Sequence, residues 1–126
     1  MLSGKIPKSF GHLNCEELYL SSNKLTGDAS ILLRENATMT SMILSWNRLD
    51  YDLSKIKFAK NLAFLDLSHN RIRRSIPKQI TELDNLQLGY NLLCGMIPFG
   101  GKVQQLGARS FVHNLCLRGA PLPDCN

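Results

Sequence analysis

The chain lacks most of the signatures that mark an enzyme or a membrane protein. No run of about 18 apolar residues occurs in its 126 positions, which excludes a membrane-spanning helix of ordinary length. The opening, MLSGKIPKSF, has neither the basic n-region nor the apolar core of a secretory leader. There is no glycine-rich phosphate loop, no Gly-x-Ser-x-Gly elbow and no His-Glu-x-x-His. The histidines, His12, His69 and His113, are read as far apart in the repeat register described below, so they form no metal set. Glu16 and Glu17 are neighbours, and side chains of adjacent strand residues project to opposite faces, which suits no acid/base pair. These absences point to a binding module that is not an enzyme and needs neither metal nor cofactor.

What remains is an ordinary soluble composition, 44% hydrophobic and 20% charged, with a formal charge of +5. That charge is compatible with nucleic acid, an anionic polysaccharide or no specific partner. No recognised nucleic-acid motif accompanies it, so a nucleic-acid partner is not expected. The cysteines are Cys15, Cys94, Cys116 and Cys125. Three fall in the last third, without zinc spacing, and their clustering predicts a disulfide-tied end made in an oxidising compartment.

The dominant signal is internal repetition. Leu18-Tyr-Leu-Ser-Ser-Asn23-Lys-Leu25 recurs as Met42-Ile-Leu-Ser-Trp-Asn47-Arg-Leu49, as Leu65-Asp-Leu-Ser-His-Asn70-Arg-Ile72 and as Leu86-Gln-Leu-Gly-Tyr-Asn91-Leu-Leu93. The asparagines lie 24, 23 and 21 residues apart, and an apolar residue (Cys15, Met39, Leu62, Leu83) stands eight positions before each. This is the period and pattern of a leucine-rich repeat. Leu-x-Leu has the two-residue period of a strand with both leucines on one face. One such strand cannot bury that face alone, but stacked neighbours form a parallel sheet over a continuous core. The asparagine ends the strand, where its amide is expected to bond backbone groups in its own turn and in the next repeat.

A second pattern follows each asparagine: Leu2-Ser-Gly4-Lys-Ile6-Pro7, with a full copy at Leu93-Cys-Gly95-Met-Ile97-Pro98. Leu25-Thr-Gly27 and Ile72-Arg-Arg-Ser-Ile76-Pro77 are partial copies; Tyr51 and Arg74 replace the glycine, and Ser30 and Ser54 the proline. In plant-type leucine-rich repeats, which this pattern resembles, the segment forms a second short strand. The fold expected is an α/β-class solenoid, with a short parallel sheet on the concave face and 3₁₀ turns or loops behind it, including residues 30–35 and 78–82. Residues 1–14 read as a partial leading repeat, 15–98 as about four repeats and 99–126 as a C-terminal cap. The missing front half of the first repeat predicts a fragment or truncated product whose leader, N-terminal cap and earlier repeats are absent.

The end of the chain narrows the resemblance. Leu93-Cys94-Gly95-Met-Ile-Pro98-Phe-Gly100-Gly101-Lys102 followed by Phe111-Val-His113-Asn114-Leu-Cys116-Leu-Arg-Gly119-Ala-Pro121-Leu-Pro123-Asp-Cys125 is similar to the cap of polygalacturonase-inhibiting proteins of plant cell walls. The likeness extends upstream through Gly27-Asp28-Ala29-Ser30, Asn36-Ala-Thr38 and Asp52-Leu-Ser-Lys55, and corresponds to roughly the last half of a full-length member. A carrot antifreeze protein and some receptor ectodomains share much of this cap. The resemblance implies secretion to the cell wall, inhibition of a fungal polygalacturonase and a Cys94–Cys116 bridge. Arg118 stands where the family carries a third cap cysteine, so Cys125 lacks its partner and is free, mispaired or linked between chains. Cys15 occupies an apolar repeat position, which favours a buried free thiol over half of a bridge. Asn36-Ala-Thr38 is a glycosylation acceptor.

The expected binding surface is the concave face. Its exposed strand positions number twenty and hold four acids (Glu16, Glu17, Asp66, Asp84) and no Lys or Arg, in a chain with 15 of the latter. Glu17, Tyr19, Ile43, Trp46, Phe64, Asp66, His69, Gln87 and Tyr90 are the candidate partner contacts. Aromatics anchor interfaces, but they also fill strands. By the resemblance, an acidic face would complement the positive cleft of an enzyme that binds polygalacturonate. Lys24, Arg48, Arg71, Arg73 and Arg74 flank the sheet; they are a solvated surface or, as the resemblance to cell-wall inhibitors implies, contacts to de-esterified pectin. A receptor-type recognition ectodomain is the alternative function, and ice binding a remote one.

Overall fold

In the computed structural model, residues 2–12, 15–33 and 38–123 are described, and they fold as a solenoid of short parallel strands. In chain order these are β1 (Ser3–Lys5), β2 (Glu17–Tyr19), β3 (Lys24–Gly27), β4 (Ser41–Ile43), β5 (Arg48–Leu49), β6 (Phe64–Asp66), β7 (Arg73–Arg74), β8 (Asn85–Gln87), β9 (Leu92–Met96) and β10 (Cys116–Arg118). The Leu-x-Leu motifs supply one sheet, ordered β2-β4-β6-β8. The segments after each asparagine supply two further sheets, β1-β3-β5 and β7-β9-β10. These two are joined by backbone bonds from Arg71 N to Leu49 O and Arg73 N to Tyr51 O. Behind them run 3₁₀ turns at Lys8–His12, Ser30–Leu32, Leu53–Lys55 and Lys78–Glu82.

Register follows from the two-residue period. Leu18, Met42, Leu65 and Leu86 align as Cα partners across the first sheet, and the last three are essentially buried. Leu44, Leu67 and Leu88 are fully buried one step on, as are Leu49, Ile72 and Leu93 after the turn, where Leu25 is also buried. Each such side chain contributes about 1.5–3 kcal/mol when taken out of water, and only the neighbouring repeats remove the water. Among the described residues Cys15 forms no disulfide; it packs against this core, but is half-buried instead of buried like Met39, Leu62 and Leu83 at the same repeat position.

The asparagines form the predicted ladder. Asn47 Nδ2 donates to the carbonyls of Leu20 (2.9 Å) in the preceding repeat and Leu44 (3.0 Å) in its own, while its Oδ1 accepts from Leu25 N (3.0 Å). Asn70 and Asn91 repeat the arrangement. A fifth rung, not read from the sequence, is Asn114, whose Oδ1 accepts from Leu93 N and whose Nδ2 donates to Leu88 O.

The cap closes the last repeat with 3₁₀ turns at Val103–Gln105 and Ala108–Ser110, and it buries Val103 and Phe111. Cys94 and Cys116 are bridged, directly opposite each other in the β9–β10 register. Cys125 and Asn36 lie outside the described residues. The cap also explains Gly89, which stands where other repeats carry Ser21, Ser45 and Ser68. A Cβ there would meet the carbonyl of Arg109 at 2.9 Å and that of Val112 at 3.3 Å. Gly89→Ser, although it restores the repeat pattern, is expected to destabilise the protein by about 2 kcal/mol through overpacking, read as a lower urea midpoint.

The two residues replacing the motif glycine behave differently. Gly4, Gly27 and Gly95 have φ of 79°, 77° and 107°, and Arg74 is held there as well, at 74°. Tyr51 instead turns into the core, 3% exposed, with a hydroxyl that finds no hydrogen-bond partner among the described residues. Burial, aided by the charge of Asp28, raises its pKa far above the ordinary tyrosine value. The unfolded chain releases this proton near pH 10 while the native state keeps it, so stability falls as pH rises beyond that point. Tyr51→Phe is expected to add about 1 kcal/mol at neutral pH and to flatten the alkaline decline, measured by urea unfolding between neutral and alkaline pH.

Candidate binding face

The four-stranded sheet presents its odd-register side chains outward, because Leu18, Met42, Leu65 and Leu86 take the core side. Glu17, Ser41, Phe64 and Asn85 align in one cross-strand row, and Tyr19, Ile43, Asp66 and Gln87 in the next. Glu17 and Tyr19 are exposed; Ile43, Phe64, Asp66 and Gln87 are half-buried. Several of these groups are held by their neighbours. Tyr19 Oη donates to Glu17 Oε2 at 3.3 Å. Asp66 Oδ1 accepts from Ser68 N (3.0 Å) and Ser68 Oγ (2.6 Å), which fixes the carboxylate beside Phe64. Two of the twenty positions read as exposed are buried: Ser45 and Gly89, the latter beneath the cap.

The candidate residues Trp46, His69 and Tyr90 belong to a feature the repeat pattern did not reveal. Each stands just before a ladder asparagine in left-handed backbone, with φ of 59°, 57° and 60°. The turn repeats, so the side chains stack. Trp46 lies over His69 (centroids 3.6 Å, 9° between planes), His69 over Tyr90 (4.2 Å, 12°) and Tyr90 over His113 (4.4 Å, 22°). The reading that His69 and His113 are far apart in the register is therefore corrected: they hold the same repeat position, two repeats apart, with Tyr90 between them. The signal was present in the sequence as Trp-Asn, His-Asn, Tyr-Asn and His-Asn at one repeat position. Trp46 is 59% and Tyr90 45% exposed, so the column forms an outward-facing aromatic ridge. No cluster of His, Cys, Asp and Glu among the described residues is placed to hold a metal ion.

The flanking cations Lys24, Arg48, Arg71, Arg73 and Arg74 are all exposed. Arg73 Nε donates to Asp50 Oδ1 at 2.8 Å, a surface pair worth at most about 1 kcal/mol. The other four make no ion pair among the described residues. On the same flank, Asp52 caps the Leu53–Lys55 turn by accepting from Ser54, and that bond lowers its pKa.

Comparison with known proteins gives a consistent picture. The Leucine Rich Repeat family profile matches residues 61–83. Polygalacturonase inhibitor 1 of Arabidopsis thaliana is 49% identical over 116 residues, covering 90% of this chain and 35% of that protein. The crystal structure of a plant ice-binding protein superposes with a TM-score of 0.92 at 36% identity, covering 98% of this chain and 41% of that one. The BIR2 ectodomain of Arabidopsis thaliana superposes with a TM-score of 0.80 at 31% identity, covering 94% of this chain and 65% of that one. The chain spans 32% to 42% of the length of the curated relatives it matches, most of them polygalacturonase inhibitors.

Proposed function

We propose, from the premise that this leucine-rich-repeat chain is a homologue of the plant polygalacturonase inhibitors, that it binds a fungal or other polygalacturonase and occludes its substrate cleft with the four-stranded sheet. The observation that carries this reading is the separation of charge. The chain is net basic, yet the outward rows of the sheet hold Glu17 and Asp66 and no Lys or Arg. A cleft that binds polygalacturonate is positive, and an acidic, aromatic-edged surface complements it. Blocking requires shape and charge only, so the protein performs no chemistry of its own. The exposed cations Lys24, Arg48, Arg71 and Arg74, with Arg73 already engaged by Asp50, are proposed to contact de-esterified pectin. The site of action is then the cell wall, reached by secretion.

Titrating oxidised protein against a panel of polygalacturonases while following reducing-end release tests the reading directly. Saturable inhibition is expected of at least one enzyme. Trp46→Ala and Asp66→Asn together should raise the inhibition constant by about tenfold or more. Unchanged inhibition by the double variant would remove this face from the interface. A receptor-type role in ligand recognition is the second reading, favoured by the likeness to the BIR2 ectodomain. Ice binding fits less well, because the outward rows mix Glu, Tyr, Ile, Phe and Asp instead of a regular hydroxyl array; measured thermal hysteresis would revive it.

A further inference from the structure

The ring column of this solenoid ends one place short. Ser22 occupies the same repeat position as Trp46, His69, Tyr90 and His113 and the same left-handed backbone, with φ of 58°. Its N–H donates to Ser45 O, just as Trp46 N donates to Ser68 O and His69 N to Gly89 O. Its side chain therefore starts where a ring would start, but it carries only a hydroxymethyl group. His69 covers one face of Trp46; among the described residues no other ring stacks on the indole, which is 59% exposed and borders open space on its Ser22 side. A groove of about 470 Å³ occupies this place, lined by Ser22, Asn23, Lys24, Trp46, Asn47 and Arg48. Asn23 and Asn47 spend their amides on the ladder, so the groups available to a ligand are the indole face, the Ser22 hydroxyl and two cations. Lys24 and Arg48 make no ion pair among the described residues.

The geometry points to a stacking seat on Trp46 for a planar aromatic carboxylate, with the ring continuing the column and the carboxylate met by Lys24 and Arg48. A planar ring is the occupant that fits, because the existing steps of the column, 3.6 to 4.4 Å with planes within 22° of parallel, repeat at that spacing only for flat groups. Stacked aromatic contacts favour this arrangement beyond the area they bury. An anionic substituent is selected over a cationic one because both charged residues lining the groove are positive. The inference rests on the column and groove and does not need polygalacturonase inhibition to hold, although it shares Trp46 with the proposed inhibitory face and Lys24 and Arg48 with the proposed pectin contacts.

Trp46 is the chain's one tryptophan, so its indole N–H gives a single side-chain signal in a ¹⁵N-labelled sample. Titration with indole-3-carboxylate is expected to move that signal and the Ser22 and Asn23 amides saturably. The midpoint should lie at roughly 1 mM, as suits a ligand of about a dozen heavy atoms. Indole-3-carboxamide should bind about threefold more weakly, and the Lys24→Gln, Arg48→Gln double variant should bind the two equally. Ser22→Tyr should fill the seat and abolish the response; the two surface substitutions carry the test if that variant does not fold. An unmoved indole signal overturns the proposal. So does equal binding of acid and amide by the unsubstituted protein, or a saturable response to galacturonic acid that exceeds the response to indole-3-carboxylate.

Discussion

Asn70→Ala is expected to lower the stability of this protein by about 3–5 kcal/mol, the sum of several buried polar groups left unsatisfied. The Asn70 amide donates to Leu44 O (3.0 Å), Leu67 O (3.1 Å) and Ser68 O (3.2 Å), and its Oδ1 accepts from Leu49 N (3.0 Å). Asn70 is 8% exposed, so water does not replace these bonds. The change creates an orphaned N–H and weakens carbonyl satisfaction in two successive repeats at once. It also loosens the junction between them, and in a solenoid that junction is the nearest-neighbour coupling that makes unfolding cooperative. Urea unfolding should show the loss as a lower midpoint. Amide exchange should show Leu49 N, its acceptor gone, losing protection earlier than the strands around it. Asn70→Asp tests the mechanism: it keeps the acceptor for Leu49 N but loses every donor, because an ionised carboxylate only accepts. It should be no more stable than the alanine variant. A midpoint close to that of the unsubstituted protein for either change would show that the ladder does not hold the repeats together.

Removing the cap disulfide should have the next largest effect. Cys94 and Cys116 are 22 residues apart, and opening a loop of that length releases about 3 kcal/mol of chain entropy in the unfolded state. The native side loses little else, since β9 and β10 keep their backbone pairing. Cys94→Ala with Cys116→Ala should therefore fold, with a cap that opens more readily. The cap's own contribution comes from Phe111 and Val103 packed over the last repeat. Reduction of the unsubstituted protein should lower the unfolding midpoint as far as the double substitution does, and reductant should leave the substituted protein unchanged. Equal midpoints with and without reductant would mean that the unfolded chain is not constrained by this bridge.

The contrast between Ser68 and Gly89 shows how far pattern reading carries. Both hold the same repeat position, and the pattern treats both as open surface. Ser68 is half-buried and tethers Asp66, while Gly89 lies beneath the carbonyls of Arg109 and Val112. The difference arises from the cap, which is remote from Gly89 in sequence. Tyr51 and Arg74 make the same point: both replace one motif glycine, yet one enters the core and the other keeps the left-handed backbone.

By itself the sequence determined the solenoid, because a 21–24-residue period of Leu-x-Leu followed by asparagine has one economical solution. The leucines must be buried by neighbouring repeats, and the asparagine amide must serve the backbone of two of them. It also determined, through its likeness to plant inhibitors, that Cys94 pairs with Cys116. Tertiary structure alone decided which outward positions are open, that four rings stack into one column, and that the column stops at Ser22. Those facts depend on the left-handed turn before each asparagine, which sets the direction of side chains 21 to 24 residues apart, and on distances of a few ångströms between repeats. A residue pattern records which positions recur; it does not record where their side chains meet.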